Sequence, residues 1–490
     1  MAIAFSSVPS NLRVPFVAVE FDSSRAQQGP ALLPYRALLI GQRLSSGTGA
    51  ANGLYRVSSP EQVLALAGRG SMLHRMALAY FANNRFTETW IGVLDDASAG
   101  LQAAGTITIT GPATAAGTIH LYIGGTHVPV AVANAEAQND IATAIAAAIT
   151  AAADLPVTAQ AATSVVTVTH RHKGAAGNDV DIRINYQDGE ALPAGVTVAI
   201  VALTGGTTNP VLTSLIAALG DTWFHIVAHP YTDATSLTAI EAELASRFGP
   251  MRMIDGVAIT SAVGTQATLA TLGEGRNSPH SCVVAQPGKN PVTPPSEFAA
   301  AVAGVVAYYG NADPARPLQT LPVQGVLAPA EADLFTLQER NLNLYDGIGT
   351  SRVAAGGEVQ LERIVTTYQT NAAGAADTAY LDVTTMLTLM YLRYSFRNRI
   401  LARYPRHKLA NDGTRFGAGQ AVITPNVGKA EAICWFRDLE ELGLVEDFDQ
   451  FKADLVVERN SADPNRLDFL LPPNIINQLI VGAANIQFRL

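Results

Sequence analysis

The chain has 490 residues, 48% apolar and only 15% charged, with a net charge of −9 and a pI near 5.5. That charged share, well under the usual quarter, fits either a surface covered by further copies of the chain or a coding bias toward Ala and Gly. The acidic balance argues against general nucleic-acid binding, two distant cysteines (Cys282, Cys434) give no disulfide framework or zinc spacing, and no apolar run is long enough to span a bilayer.

At this length about three domains are expected, each burying its own core. Residues 1–30 read as an N-terminal arm. Pro9 and Pro15 oppose helix, and Phe16, Val17, Val19 and Phe21 form an apolar, strand-like run whose partner lies elsewhere. The first 16 residues lack the basic start and long apolar stretch of a secretory leader, so assembly in a reducing cytoplasm is expected.

Residues 31–99 alternate strand and helix. YRALLIG (35–41) is a buried strand, Ser59-Pro60-Glu61 opens a helix, Ser71–Ala82 carries helical apolar spacing, and TWIGVL (89–94) is a strand. Residues 100–206 change character. GTITITG, GTIHLYIGGTHVPVAV, VVTVTH, NDVDIRINY and GVTVAIVAL alternate apolar with polar residues, around an alanine-rich helix at 135–153. This stretch reads as an inserted β-rich domain that projects outward.

The strand–helix alternation resumes at Pro210 and runs to about residue 309, which predicts a mostly parallel sheet covered on both faces. A proline-broken segment follows, then a helix at 330–341, a strand-containing patch at 345–363, and a long helix at 381–402. The C-terminal part (366–484) has a helix at 429–442 and strands at 451–458 and 466–471. The end, NIQFRL (485–490), reads as a strand with nothing after it to pair with, its apolar positions being Ile486, Phe488 and Leu490. The expected fold class is therefore an α/β core with a mostly parallel sheet (31–99 and 207–365), an inserted β-rich outer domain, and a C-terminal α+β domain with extended terminal arms.

No catalytic motif emerges. Gly41–Thr48 has five residues between its glycines and no Lys, and Gly53 comes one residue late for a dinucleotide fingerprint. The pairs His225/His229 and His170/His172 lack a nearby set of carboxylate or thiolate partners and read as ordinary core or surface histidines. No Ser sits in a nucleophile elbow, and neither Cys has a catalytic signature. No cofactor, catalytic residue or metal site is expected.

Two charge blocks stand out. Arg393, Arg397, Arg399, Arg403, Arg406 and Lys408 lie in a stretch with no acid between Asp382 and Asp412. Acids then dominate from Glu431 to Asp454. Each block is either a solvated face or an interface to a neighbouring subunit or another partner.

The opening VPSNLRVPFVAVEFDSSRA, the stretch GSMLHRMALAYFANNRFTETWIG, the insert strands and the closing order AICWFRDLEELGL, NRLDFLLPP, NIQFRL resemble contractile tail sheath proteins of Mu-like bacteriophages. The resemblance covers essentially the whole chain. It implies a non-enzymatic subunit that stacks as hexameric rings in a helix around a tail tube protein, ends on baseplate and tail terminator proteins, and contracts to drive the tube through a host envelope. It implies a place in the virion, with no nucleic-acid partner and no membrane insertion. It also implies that terminal arms add strands to a neighbour's C-terminal sheet. Phe16, Val17, Val19, Phe21, Ile486, Phe488 and Leu490 would carry that exchange, the opposing view being that both ends pair within their own subunit. The C-terminal domain would face the tube, with Arg437, Glu440 and Glu441, or Arg393, Arg397 and Arg403, as the tube- or neighbour-facing charges. A phage-derived injection system or bacteriocin sheath is the near alternative; an α/β enzyme with a β-rich insert, and a secreted adhesin, are the distant ones.

Overall fold

The computed structural model describes residues 33–489. Along the chain come β1 (Arg36–Gln42), β2 (Leu54–Val57), α1 (Pro60–Ala67), α2 (Met72–Asn83) and β3 (Glu88–Leu94). Next are β4 (Gln102–Thr110), β5 (Gly117–Ile123), β6 (Thr126–Val132), α3 (Gln138–Ala151), β7 (Val157–Ala162), β8 (Val165–Lys173), β9 (Ile182–Ile184) and β10 (Thr197–Thr204). Then follow α4 (Thr213–Leu219), β11 (Ile226–Ala228), α5 (Ala234–Phe248), β12 (Val257–Ala262), α6 (Gln266–Glu274), β13 (Ser281–Ala285), α7 (Pro295–Ala312), α8 (Leu337–Tyr345), β14 (Ile348–Val353) and β15 (Val359–Arg363).

An eight-stranded sheet in the order β15-β14-β13-β12-β11-β1-β3-β2 forms the centre. Its inner strands run parallel and the two outermost, β2 and β15, antiparallel. The period-two rule explains how it buries both faces. On β1, Ala37 and Leu39 point into the core shared with α2 and α7, whereas Leu38 and Ile40 point into the one shared with α4 and α5. Helix α7 is apolar nearly all round and packs tightly on α2; a Cβ on Gly304 would sit 2.9 Å from the Tyr80 carbonyl oxygen, so only Gly allows that approach.

Strands β4–β10 and α3 form two more sheets, β10-β4-β8-β7 and β6-β5-β9, around a separate core. Ile141, Ile145 and Ile149, four residues apart on α3, fill it.

The last part comprises α9 (Val383–Arg403), β16 (Lys408–Leu409), β17 (Val422–Ile423), α10 (Pro425–Glu441), β18 (Val445–Glu446), α11 (Phe448–Asp454), β19 (Val456–Arg459), β20 (Leu467–Leu470) and β21 (Asn474–Ile475). Helix α9, about 30 Å long at 1.5 Å per residue, joins two cores. Val383, Met386, Leu387 and Met390 belong to the central one, and Leu392 to the C-terminal one with Trp435, Phe436, Leu439 and Phe451.

Some elements differ from the sequence reading. The helix expected at 330–341 begins at Leu337, where Thr336 and Glu339 form a capping box; before it stands only a short 3-10 turn, Glu331–Asp333. The strand expected at 451–458 is half helix: Phe451 is buried on α11, and β19 begins at Val456. NDVDIRINY yields only the three-residue β9. Residues 485–489 form no strand among the described residues.

Candidate assembly surface

The two charge blocks meet inside the chain. Arg399 on α9 is bound by Glu431 and Asp438 of α10. Arg403 lies 3.0 Å from Glu431, and the Tyr404 hydroxyl donates to the same carboxylate at 3.0 Å. Burial would lower the Arg399 pKa, but its two acidic partners raise it above the ordinary value. The blocks therefore lock α9 to α10, a pairing invisible in a linear charge count.

Arg393 turns inward. Its Nη1 donates to Asp255 Oδ1 and to the Phe248 carbonyl oxygen, both at 2.6 Å, and its guanidinium lies over the Phe248 ring. Asp255 is 1% exposed, and burial pushes its pKa up to about 6 against the pull of Arg393. Arg393 is thus engaged within its own chain, with 30% of its side chain exposed. Arg397 is exposed on α9. Arg437 is exposed above the Phe448 ring and 3.9 Å from Glu440, with Glu441 exposed beside them.

The C-terminal part is unusual in its sheets. Among the described residues its ladders, β16-β17, β18-β21 and β19-β20, have two strands each. Two-stranded ribbons leave hydrogen-bonding edges open and are marginal alone. The β19-β20 hairpin survives because one face is packed. Phe469 meets Phe396 edge-on at 5.3 Å, and Gly428 on α10 leaves just enough room for Leu467 and Phe469. Val456 and Leu470, paired across the ladder, point away and are exposed.

Beyond β21 the chain is tacked down and then released. Ile476 N donates to the Leu444 carbonyl oxygen, Gln478 binds the Thr384 hydroxyl, and Gln319 Nε2 reaches the Leu479 carbonyl oxygen at 3.3 Å. From there Leu479, Val481, Ile486 and Phe488 are 76–87% exposed. Such a run of large apolar side chains without cover among the described residues marks an interaction segment. Phe16, Val17, Val19, Phe21 and Leu490 lie outside the described residues. The sequence reading named the ends of this surface but missed Val456, Leu470, Leu479 and Val481. Alternation in VVER and LDFL was the available signal.

Asp96, just past the carboxyl end of β3, is occupied structurally. Asp96 accepts from His172 Nδ1 (2.8 Å), Gln42 Nε2 (2.7 Å) and Lys173 N (3.0 Å), while His172 Nε2 accepts from Met72 N at 3.1 Å. Burial alone would raise the Asp96 pKa, but these bonds hold it below the ordinary carboxylate value. The constellation fastens β8 to the central sheet. A neighbouring groove of about 440 Å³, lined by 94–99 and 208–211 with Ala51 and Asn52, is shallow and open, and Asp95 at its rim is bound to Arg43 at 2.6 Å. His225, His229 and His170 are buried, and burial pushes them down to about 3, 4 and 4, neutral at ordinary pH. Among the described residues, metal-ligand geometry occurs instead at His120, His127 and Glu190.

Over its full length the chain is 42% identical to the Mu-like prophage FluMu tail sheath protein of Haemophilus influenzae, covering all of both chains. It belongs to the family of Mu-like phage tail sheath proteins. Residues 205–367 match the phage tail sheath protein central domain and 375–489 the phage tail sheath C-terminal domain. Among solved structures, the sheath of an extracellular contractile injection system in its contracted state aligns at TM-score 0.50 and 10% identity, over 97% of this chain and 98% of the other. The sheath tail protein of Listeria innocua aligns at TM-score 0.48 and 14% identity, over 92% and 97%. This tail sheath protein is thus a structural component of a phage tail, and its family is not an enzyme family.

Proposed function

We propose that this sheath subunit polymerises as a helical array of hexameric rings around a tail tube, bounded by baseplate and terminator proteins, and contracts to drive the tube through the host envelope during genome ejection. The observation that carries this reading is the exposed apolar segment Leu479–Phe488 beside ribbons with open edges. Strand addition satisfies both at once: the edge gains backbone hydrogen bonds, and alternate residues such as Ile486 and Phe488 fill side-chain pockets. Leu490, and Phe16, Val17, Val19 and Phe21 at the other end, are proposed to serve the same exchange.

Head-to-tail linkage of this kind propagates instead of closing on itself. Contraction is then a rigid-body rearrangement in which subunits slide and rotate while the arms keep the mesh joined. The energy is stored at assembly in a metastable extended state, without nucleotide. The C-terminal part faces the tube, with Arg397, Arg403, Arg437, Glu440 and Glu441 as its charges, and the part built from β4–β10 faces outward. Subunits assemble in the host cytoplasm and end in the virion.

The test is sedimentation of the purified chain against an Ile486→Asp, Phe488→Asp double variant. Large assemblies from the wild type and a folded monomer from the variant support the reading. Equal assembly by both sinks the role of these side chains.

A further inference from the structure

We propose that His120, His127 and Glu190 form a site for a borderline divalent transition metal, Zn²⁺ being the best match, on the surface built from β5, β6 and the loop before β10. The hairpin dictates the first half of the site. Its two-residue turn, Gly124-Gly125, has positive φ at both positions (+53° and +77°), the form that suits two-residue hairpins. The register then pairs Tyr122 with His127 and Ile123 with Thr126. Side chains two apart share a face, so His120 stands beside Tyr122 and diagonal to His127. The two imidazoles stack with centroids 5.2 Å apart, and His120 Nδ1 lies 3.1 Å from His127 Nε2.

The loop supplies the third donor. Glu190 Oε1 is 3.3 Å from His120 Nδ1. Its carboxylate is oriented twice: the Tyr122 hydroxyl donates to Oε1 at 2.7 Å, and the Gln187 backbone N–H donates to Oε2 at 3.0 Å. Outer partners of this kind fix a ligand's direction in metal sites.

The spacing matches a metal better than a hydrogen-bond network. All three ligand atoms lie within 4.8 Å of one another. Bonds of about 2.0–2.1 Å in a tetrahedron place neighbouring ligand atoms about 3.3–3.4 Å apart, close to the two measured edges. When His127 Nε2–H donates to His120 Nδ1, that nitrogen and Glu190 Oε1 face each other at 3.3 Å with no proton between them, whereas one cation takes a lone pair from all three groups. Two imidazoles and a carboxylate select Zn²⁺ and its neighbours over Mg²⁺ or Ca²⁺, which prefer all-oxygen shells. Three protein donors leave one position of a tetrahedral ion open.

The experiment is calorimetric titration of ZnCl₂ into the full-length, tag-free chain at about pH 7.5, with the exposed Cys434 changed to Ser in every sample so that its thiol does not compete. The expected result is one Zn²⁺ per chain, undisturbed by excess Mg²⁺, and at least tenfold weaker in His127→Asn and in Glu190→Gln. His127→Asn alters an exposed side chain, and an unchanged melting temperature without metal verifies its fold. A parent chain that takes up no stoichiometric Zn²⁺, or variants that bind it as tightly as the parent, would overturn the assignment.

Discussion

Arg393 Nη1 sits 2.6 Å from Asp255 Oδ1, a charge pair that ties helix α9 to the loop before β12 across 138 residues of sequence. Removing one partner of a buried pair leaves the other without compensation. Arg393→Ala should cost about 3–5 kcal/mol near neutral pH, read by denaturant or thermal unfolding. Arg393→Met with Asp255→Asn should recover most of that. Asp255 is already raised to about 6, and without Arg393 it rises further. The penalty of Arg393→Ala should therefore shrink as pH falls to about 5, where the carboxyl is neutral.

Trp435 anchors the C-terminal core, meeting Phe396 edge-on at 5.2 Å and donating from Nε1 to Ser395 Oγ at 2.9 Å. Trp435→Ala should cost about 3–5 kcal/mol by cavity formation. Because this core is separate from the central one, hydrogen exchange should accelerate in α10, α11 and the second half of α9. Strands β11–β13 should remain as protected as before.

Acid should destabilise the subunit. Burial depresses His170, His229 and His280 to about 4 and His225 to about 3. The unfolded chain takes up these protons near pH 6.5, which the folded chain does not. Stability from the neutral rings is thus full above about pH 6.5 and is lost as pH falls toward 4. Asp179 and Asp255, raised to about 6 by burial, act oppositely, as do Asp181, Glu241 and Asp346, whereas Asp96, Asp154 and Asp233, held below the ordinary carboxylate value, add to the loss in acid. Melting temperature should drop between pH 6.5 and 4.5. In His229→Asn the slope should flatten by up to about 1.4 kcal/mol per pH unit; an unchanged slope would show that His229 titrates normally in the fold.

Much of the central sheet was legible because its determinants are local. YRALLIG is short, apolar and bounded by Pro34 and Gly41, and Ser59-Pro60-Glu61 does precede a helix, although the Ser59 side chain makes no capping bond. The misplacement of α8 was avoidable, since Thr336-x-x-Glu339 is a capping signature. The helix at 448–454 was harder: seven residues with Phe448 and Phe451 three apart offer a weak periodicity. The charge blocks could be seen but not assigned, because whether Arg399 faces Glu431 or a neighbour depends on how α9 crosses α10. The His120/His127 cluster escaped notice because it requires the hairpin register and a third donor 63 residues beyond His127.

The most direct measurement is negative-stain electron microscopy of the purified chain, full length and with residues 485–490 deleted. Hollow tubes from the full-length protein and folded single subunits from the deletion are the predicted result. Tubes from both would contradict the strand-exchange account, and discrete particles from the full-length protein at high concentration, with or without tube present, would contradict self-assembly itself.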